Sequence, residues 1–156
     1  MSGGGEPQLV VLAPARAAVV RGRVAPDALR EFFDTSFAAL AEQLRAQGAR
    51  PVAAAHALYR DLAADAWDLE VGFAVDRPVR AAGGVGPGSL PGGRAVTCVH
   101  TGGYDGLGAS WERLRGWVGE RGLTAAPEFW EVYLTEPGPD VDPALLRTQL
   151  VQPVAG

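Results

Sequence analysis

The chain has 156 residues, 14 Lys or Arg against 18 Asp or Glu for a net charge of −4, and 47% hydrophobic content. That is enough for one domain, or two small fused halves, with a true core, and a mildly acidic chain without a basic run excludes a surface built for nucleic-acid phosphates. The single cysteine, Cys98, excludes an internal disulfide and a Cys-based zinc cluster and fits a reducing compartment.

Residues 1–7, MSGGGEP, carry neither the basic nor the apolar region of a leader and are expected to form a disordered tail. No apolar run is long enough to span a bilayer, so the expected location is cytoplasmic, with no membrane partner. Gln8 to Leu12 and Arg16 to Gly22 read as extended, with Pro14 between them. Pro26 and Asp27 open a helix, proline being tolerated in the first turn and an acid suiting the dipole there. Leu29, Phe33, Phe37, Leu40 and Leu44 form its buried stripe, and Gly48 is placed to end it in the left-handed conformation. Val52 to Tyr59 and Trp67 to Val75 read as strands, the second alternating strictly between apolar and other residues. Residues 81–93, AAGGVGPGSLPGG, predict a linker loop. The order then recurs: a strand over 94–100, a helix over 105–120 with Leu107, Trp111, Leu114 and Val118 as its stripe, Gly122 as cap, and strands over 128–134 and 147–153.

The recurrence has a register. Phe37, Leu40, Leu44 and Gly48 match Trp111, Leu114, Val118 and Gly122 at a constant offset of 74, which also pairs Tyr59 with Tyr133. The last strand needs a few more residues of shift, absorbed by EPGPDVDP at 136–143. The expected fold is α+β: one domain over 8–154 made of duplicated βαββ units, about 8–80 and 94–154, with antiparallel sheets packed as a pseudo-twofold pair around a central ligand cleft.

The duplication isolates one residue. In EFWEVYLTEP, residues 128–137, Glu131 stands inside an aromatic strand, where an unpaired charge is expensive to bury. At the same offset its counterpart is Ala57, and those of Phe129 and Trp130 are Ala55 and His56. The tyrosine is duplicated but the acid and the large rings are not, which points to a site supplied by the second half.

Arg21-Gly22, DLEVGFAV (68–75), HTGGYDGLGASW (100–111), WEVYLTEP (130–137) and QLVQPV (149–154) together resemble the GyrI-like small-molecule-binding domain, also called the bacterial transcription-activator effector-binding domain. The most specific blocks are His100, Gly102, Tyr104, Leu107 and Trp111 in the first, and Glu131, Tyr133, Leu134 and Pro137 in the second. The resemblance covers about residues 8–154. It implies a duplicated βαββ fold binding bulky, often cationic aromatic compounds in a central pocket, with Glu131 as electrostatic anchor. With no room for a helix-turn-helix module before residue 8, the chain resembles a stand-alone member. Some such members hydrolyse cyclopropane-bearing DNA-alkylating natural products, and some proteins of this family act on DNA gyrase.

By alternation Phe129, Glu131 and Tyr133 share one sheet face, and a carboxylate among rings should have a raised pKa. The ligand-binding set expected is Glu131, Tyr133, Phe129, Tyr59, Trp67, Tyr104, Trp111 and Glu70. Glu70 reads equally well as a solvated strand residue, and Tyr59 and Trp111 as core. Trp130 should face away from Glu131 and pack under the helices. His56 and His100 lack metal-site spacing and read as structural, His100 closing a strand-to-helix turn; no metal and no cofactor are expected. Cys98 reads as a small buried hydrophobe, and TGGYDGLG lacks the Lys-Ser/Thr ending of a phosphate loop. The reading is binding of a hydrophobic aromatic small molecule, sensed or sequestered. The first alternative is a strained-ring hydrolase in which Glu131 and Tyr133 are catalytic, with Glu131 as general base; the second is a gyrase-interacting protein.

Overall fold

The computed structural model describes residues 5–63, 65–135 and 140–155. In chain order its elements are β1 (Gln8–Leu12), β2 (Ala15–Val24), α1 (Leu29–Gln47), β3 (His56–Leu62), β4 (Trp67–Ala74), β5 (Gly86–Leu90), β6 (Gly93–Thr101), α2 (Leu107–Glu120), β7 (Thr124–Ala125), β8 (Phe129–Tyr133) and β9 (Arg147–Ala155), with short 3-10 turns at Pro26–Ala28, Tyr104–Gly106 and Pro143–Leu145. The strands pair antiparallel and the class is α+β. The chain forms two compact units, Ala13–Gly92 and a second made of the segment up to Leu12 with the segment from Gly93 onward.

In the Ala13–Gly92 unit the strand order is β3-β4-β2-β5, with α1 packed on β2 and β4. The alternation of β4 sets the faces. Leu69 and Val71 are fully buried, and Phe73 meets Phe37 of α1 edge-on at 5.9 Å, so the odd-numbered residues face the helix. Leu40 and Leu44 of the α1 stripe are buried, and Gly48 ends the helix at φ 67°, where only glycine is unstrained. Gly72 is required for another reason: a Cβ there would lie 2.0 Å from the Ala18 carbonyl oxygen across the β2–β4 pair.

Three expectations are corrected in detail. β3 begins at His56, not Val52, because the chain bends where Pro51 bridges Val75 and the Val52 N–H bonds the Ala74 carbonyl. The expected linker loop at 81–93 contains β5, paired with β2 at the edge of the sheet, a place where Pro87 needs no N–H to donate. The expected tail is docked over its described part, since Gly5 N–H bonds the Val99 carbonyl at 2.8 Å and Pro7 is buried.

In the other unit the order is β1-β6-β9-β8, with the short β7 on β9 and α2 packed on β6 and β7. Sheet register extends the repeat. Ala57 pairs Val71 and Tyr59 pairs Leu69, while Glu131 pairs Leu150 and Tyr133 pairs Thr148. The β3-to-β8 offset is thus 74 and the β4-to-β9 offset 79, the five extra residues falling between β8 and β9; of the predicted absorbing segment, 136–139 lie outside the described residues. Leu107 opens α2 78 residues after Leu29 opens α1, yet Gly122 follows Gly48 by 74. Counted from first residue to closing glycine, α1 is thus four residues longer than α2, about one turn, and both buried stripes keep the same spacing from that glycine. The unit's first repeat strand is flanked from elsewhere in the chain: β6 by β1, as β2 is by β5.

Gly72→Ala should lower unfolding free energy by about 2–3 kcal/mol or more, because the neighbour is backbone and cannot yield. Gly116→Ala, in the exposed interior of α2 with nothing within 4 Å of the added carbon, should raise it by about 0.5–1 kcal/mol; urea denaturation measures both. His56 is buried on β3, and burial lowers its pKa to about 4. A folded-state value below the unfolded one near 6.5 means that stability present at neutral pH is lost as pH falls from 6.5 through 4. His56→Gln should flatten the thermal-melting profile across that window.

Candidate functional site

The α2-facing side of the β6-β9-β8 sheet carries rows of side chains that run across three strands. One row is Cys98, Leu150 and Glu131; the next is His100, Thr148 and Tyr133. Two residues along β8 from Glu131, Phe129 continues the same face and meets Trp111 of α2 with ring centroids 4.8 Å apart. The helix stripe that buries Leu114 and Val118 therefore also brings Trp111 down on the acid.

Glu131 is 7% exposed. Its Oε2 accepts from the Trp111 indole N–H at 2.8 Å and its Oε1 from the Tyr133 hydroxyl at 2.9 Å. Burial pushes its pKa above the ordinary value, against the opposing pull of those two donors and of a positive charge on His100. The two oxygens are not equivalent. An indole N–H can only donate, so Oε2 must stay an acceptor; a phenol can donate or accept. When Glu131 takes up a proton, the place for it is Oε1, with Tyr133 turning from donor to acceptor.

Tyr104 stands at the rim, 41% exposed, its ring edge-on to Tyr133 at 6.1 Å. Its hydroxyl pKa is raised by burial and then by the charge of Glu131. His100 closes the strand-to-helix turn. Its Nε2 lies 2.9 Å from the Gly103 carbonyl, which can only accept, so Nε2 carries a proton; Nδ1 lies 2.7 Å from Ser110 Oγ. Cys98 is buried and burial pushes its thiol pKa up.

Among the expected ligand-binding residues, the structure thus brings together Glu131, Tyr133, Phe129, Tyr104 and Trp111. Tyr59 and Trp67 lie in the Ala13–Gly92 unit and form their own edge-on pair at 6.1 Å. Glu70 lies on the β4 face opposite α1 and pairs with Arg60, Nε to Oε2, at 2.9 Å. Trp130 faces away from Glu131 as expected but does not pack under the helices: α2 lies on the Glu131 side, so alternation puts Trp130 on the other face. Two features were not read from the sequence. The Arg115 guanidinium lies 5.1 Å from the Trp111 ring centroid and 5.0 Å from that of Phe129, a contact that the i, i+4 spacing from Trp111 could have signalled. The Thr148 hydroxyl is fully buried with no hydrogen-bond partner among the described residues, and only the strand register places it between His100 and Tyr133. No group of three or more His, Cys, Asp or Glu able to hold a metal occurs among the described residues.

Residues 5–155 match the family model of the GyrI-like small molecule binding domain. No curated protein sequence matches the chain. Among solved structures, EcmrR in a DNA complex superposes with a TM-score of 0.84 at 23% identity, over 96% of this chain and 57% of that one, so this chain spans a little over half of that protein's length. The EcmrR C-terminal domain gives 0.79 at 20% identity, covering 96% and 97%. SAV2435 bound to tetraphenylphosphonium gives 0.69 at 15% identity, covering 97% and 95%, and a hydrolase from Listeria innocua gives 0.70 at 13%, covering 96% and 92%. At these identities the likeness concerns the fold.

The raised pKa sets a stability test. The protonated form is favoured by folding, so the stability it brings is complete below 4.5 and is lost as pH rises through the folded value. In Glu131→Gln the amide carbonyl can accept from Trp111 and the NH2 can donate to Tyr133. That variant should melt at or above the wild type at pH 7–8, with the gap closing as pH falls toward 4.5. A wild type that is the more stable at neutral pH, by a margin that shrinks on acidification, would contradict the desolvated-acid description.

Proposed function

This chain belongs to the GyrI-like small-molecule-binding domain family, and from that premise we propose that it binds bulky aromatic cations, with Glu131 as the anchoring charge. The observation that carries the reading is a 7% exposed carboxylate held between an indole N–H and a phenol, with Phe129 and Tyr104 completing the ring set. An aromatic cation has two sources of affinity there. It neutralises a charge that the fold keeps poorly solvated, and it meets ring faces, each such contact contributing about 0.5–2 kcal/mol. Tetraphenylphosphonium, the compound bound by SAV2435, has this chemistry: a delocalised charge inside phenyl rings, with no proton to donate. For such a ligand the anchor works through charge alone. The reading places the protein as a cytoplasmic sensor or sequestering agent.

A second reading is hydrolytic, favoured by the 2.9 Å Tyr133–Glu131 contact. Ionised Glu131 would take a proton from a water whose oxygen attacks a strained ring carbon. Tyr133 would donate a proton where the electron pair of the broken ring bond comes to rest.

Titration with tetraphenylphosphonium or a rhodamine-type dye, followed by tryptophan quenching, should give saturable binding that Glu131→Gln weakens at least tenfold, about 1.4 kcal/mol. Wild-type affinity should rise with pH through the folded-state pKa of Glu131 and level off above it. Unchanged affinity in the Gln variant would sink the anchor role. Incubation with a cyclopropane-bearing alkylating compound separates the readings: a ring-opened product, lost in Glu131→Gln, establishes hydrolysis, and recovery of intact compound from a saturated complex rejects it.

A further inference from the structure

The Ala13–Gly92 unit contains a cavity of about 400 Å³, lined by Val19, Arg21, Glu70, Val85, Gly86 and Pro87 together with small residues of the 81–84 turn. Its volume sits near the lower end of the range for small-ligand sites, small for a multi-ring compound and ample for a metabolite of a few heavy atoms. Three observations describe what it would hold. Glu70 is 5% exposed, and Arg60 occupies only its Oε2, at 2.9 Å. Oε1 accepts no hydrogen bond among the described residues, so a buried carboxylate presents an unused acceptor at the cavity wall. Arg21 pairs directly with Glu70 across β2 and β4 and so projects on the same face. Its only ionic partner among the described residues is Asp68, at a long 3.4 Å, which leaves guanidinium donors for another acceptor. The third observation is the glycine spacing of the edge strand β5. A Cβ at Gly86 would meet nothing within 4 Å, so glycine there leaves open space at the cavity wall, whereas one at Gly88 would lie 2.8 Å from a Val19 methyl, so glycine there lets β5 close against Val19.

Opposite charges on adjacent strands, with Val19, Val85 and Pro87 between and around them, match a ligand that is itself dipolar and partly apolar. We propose that this cavity binds a small zwitterion of the α-amino-acid class with an aliphatic side chain: the ammonium group donates to Glu70 Oε1, the carboxylate accepts from Arg21, and the side chain lies against Val19 and Val85. A simple amine lacks the second contact. A simple carboxylate lacks the first and faces Glu70 as a like charge.

The test uses L-leucine as probe, titrated into the full-length 15N-labelled protein and followed by amide chemical shifts. Saturable shifts at Val19, Glu70, Val85 and Gly86 are expected. Leucine methyl ester, which lacks the carboxylate, and 4-methylpentanoate, which lacks the ammonium group, should each bind at least tenfold more weakly. Glu70→Gln should also weaken leucine at least tenfold. Because that change disturbs the Arg60 pair, Gly86→Leu provides a second variant, one whose Cβ meets nothing within 4 Å and whose side chain would occupy the cavity, and it should abolish the shifts while leaving the rest of the spectrum in place. Absence of saturable shifts at these amides, equal binding of leucine and either analogue, or undiminished binding in Gly86→Leu would each overturn the proposal.

Discussion

The hydrogen bond from the Trp111 indole to Glu131 is the interaction on which the site depends. It ties the buried stripe of α2 to the middle of β8 and gives the carboxylate one partner that cannot exchange roles. A hydrogen bond to a charged group contributes about 1.5–3 kcal/mol, less than full desolvation of an ion removes. The acid therefore stays frustrated: held in place, partly satisfied, and with its pKa above the ordinary value. Stability is given up locally at a point where a cation or a proton can restore it. Tyr133, able to donate or accept, lets the same geometry serve both protonation states.

The environment of the acid is also asymmetric in charge. The Arg115 guanidinium covers Trp111 and Phe129 from the exposed surface of α2, while the indole edge points at the carboxylate. One tryptophan thus meets a cation through its ring face and an anion through its N–H, each with the part of the ring whose partial charge suits it. That double engagement fixes the ring more firmly than burial alone would.

Much of this was legible in the sequence because the physics was local or repeated. The β4 alternation, the two helix stripes and the left-handed glycines at 48 and 122 each follow from a single element's periodicity or backbone demand. The singularity of Glu131 emerged because the repeat supplied its own control, Ala57. What was not legible was pairing at a distance. Nothing in GPGSL announces a strand, since its glycines and proline have low strand propensity; β5 exists because β2 offers it an edge. The start of β3 depends on a bridge from Pro51 to Val75, and the side of the sheet on which Trp130 lies depends on where α2 packs. Glu70 could be identified as an acid on a strand, but its relation to Arg60, Arg21 and the glycines of β5 exists only after the strands are in register.

The exchanged flanking strands carry a consequence for how the chain folds. The Ala13–Gly92 unit is one uninterrupted stretch, so all its pairings can close as soon as β5 is available. The unit that carries Glu131 is assembled from both sides of that stretch: β1 is made first but has its partner in β6, some eighty residues later. Until β6 arrives, a strand with Val11 80% exposed even in the finished fold has no ladder of its own. Non-local closure of this kind is slow relative to local pairing, so the unit with the buried acid is the later of the two to form during synthesis.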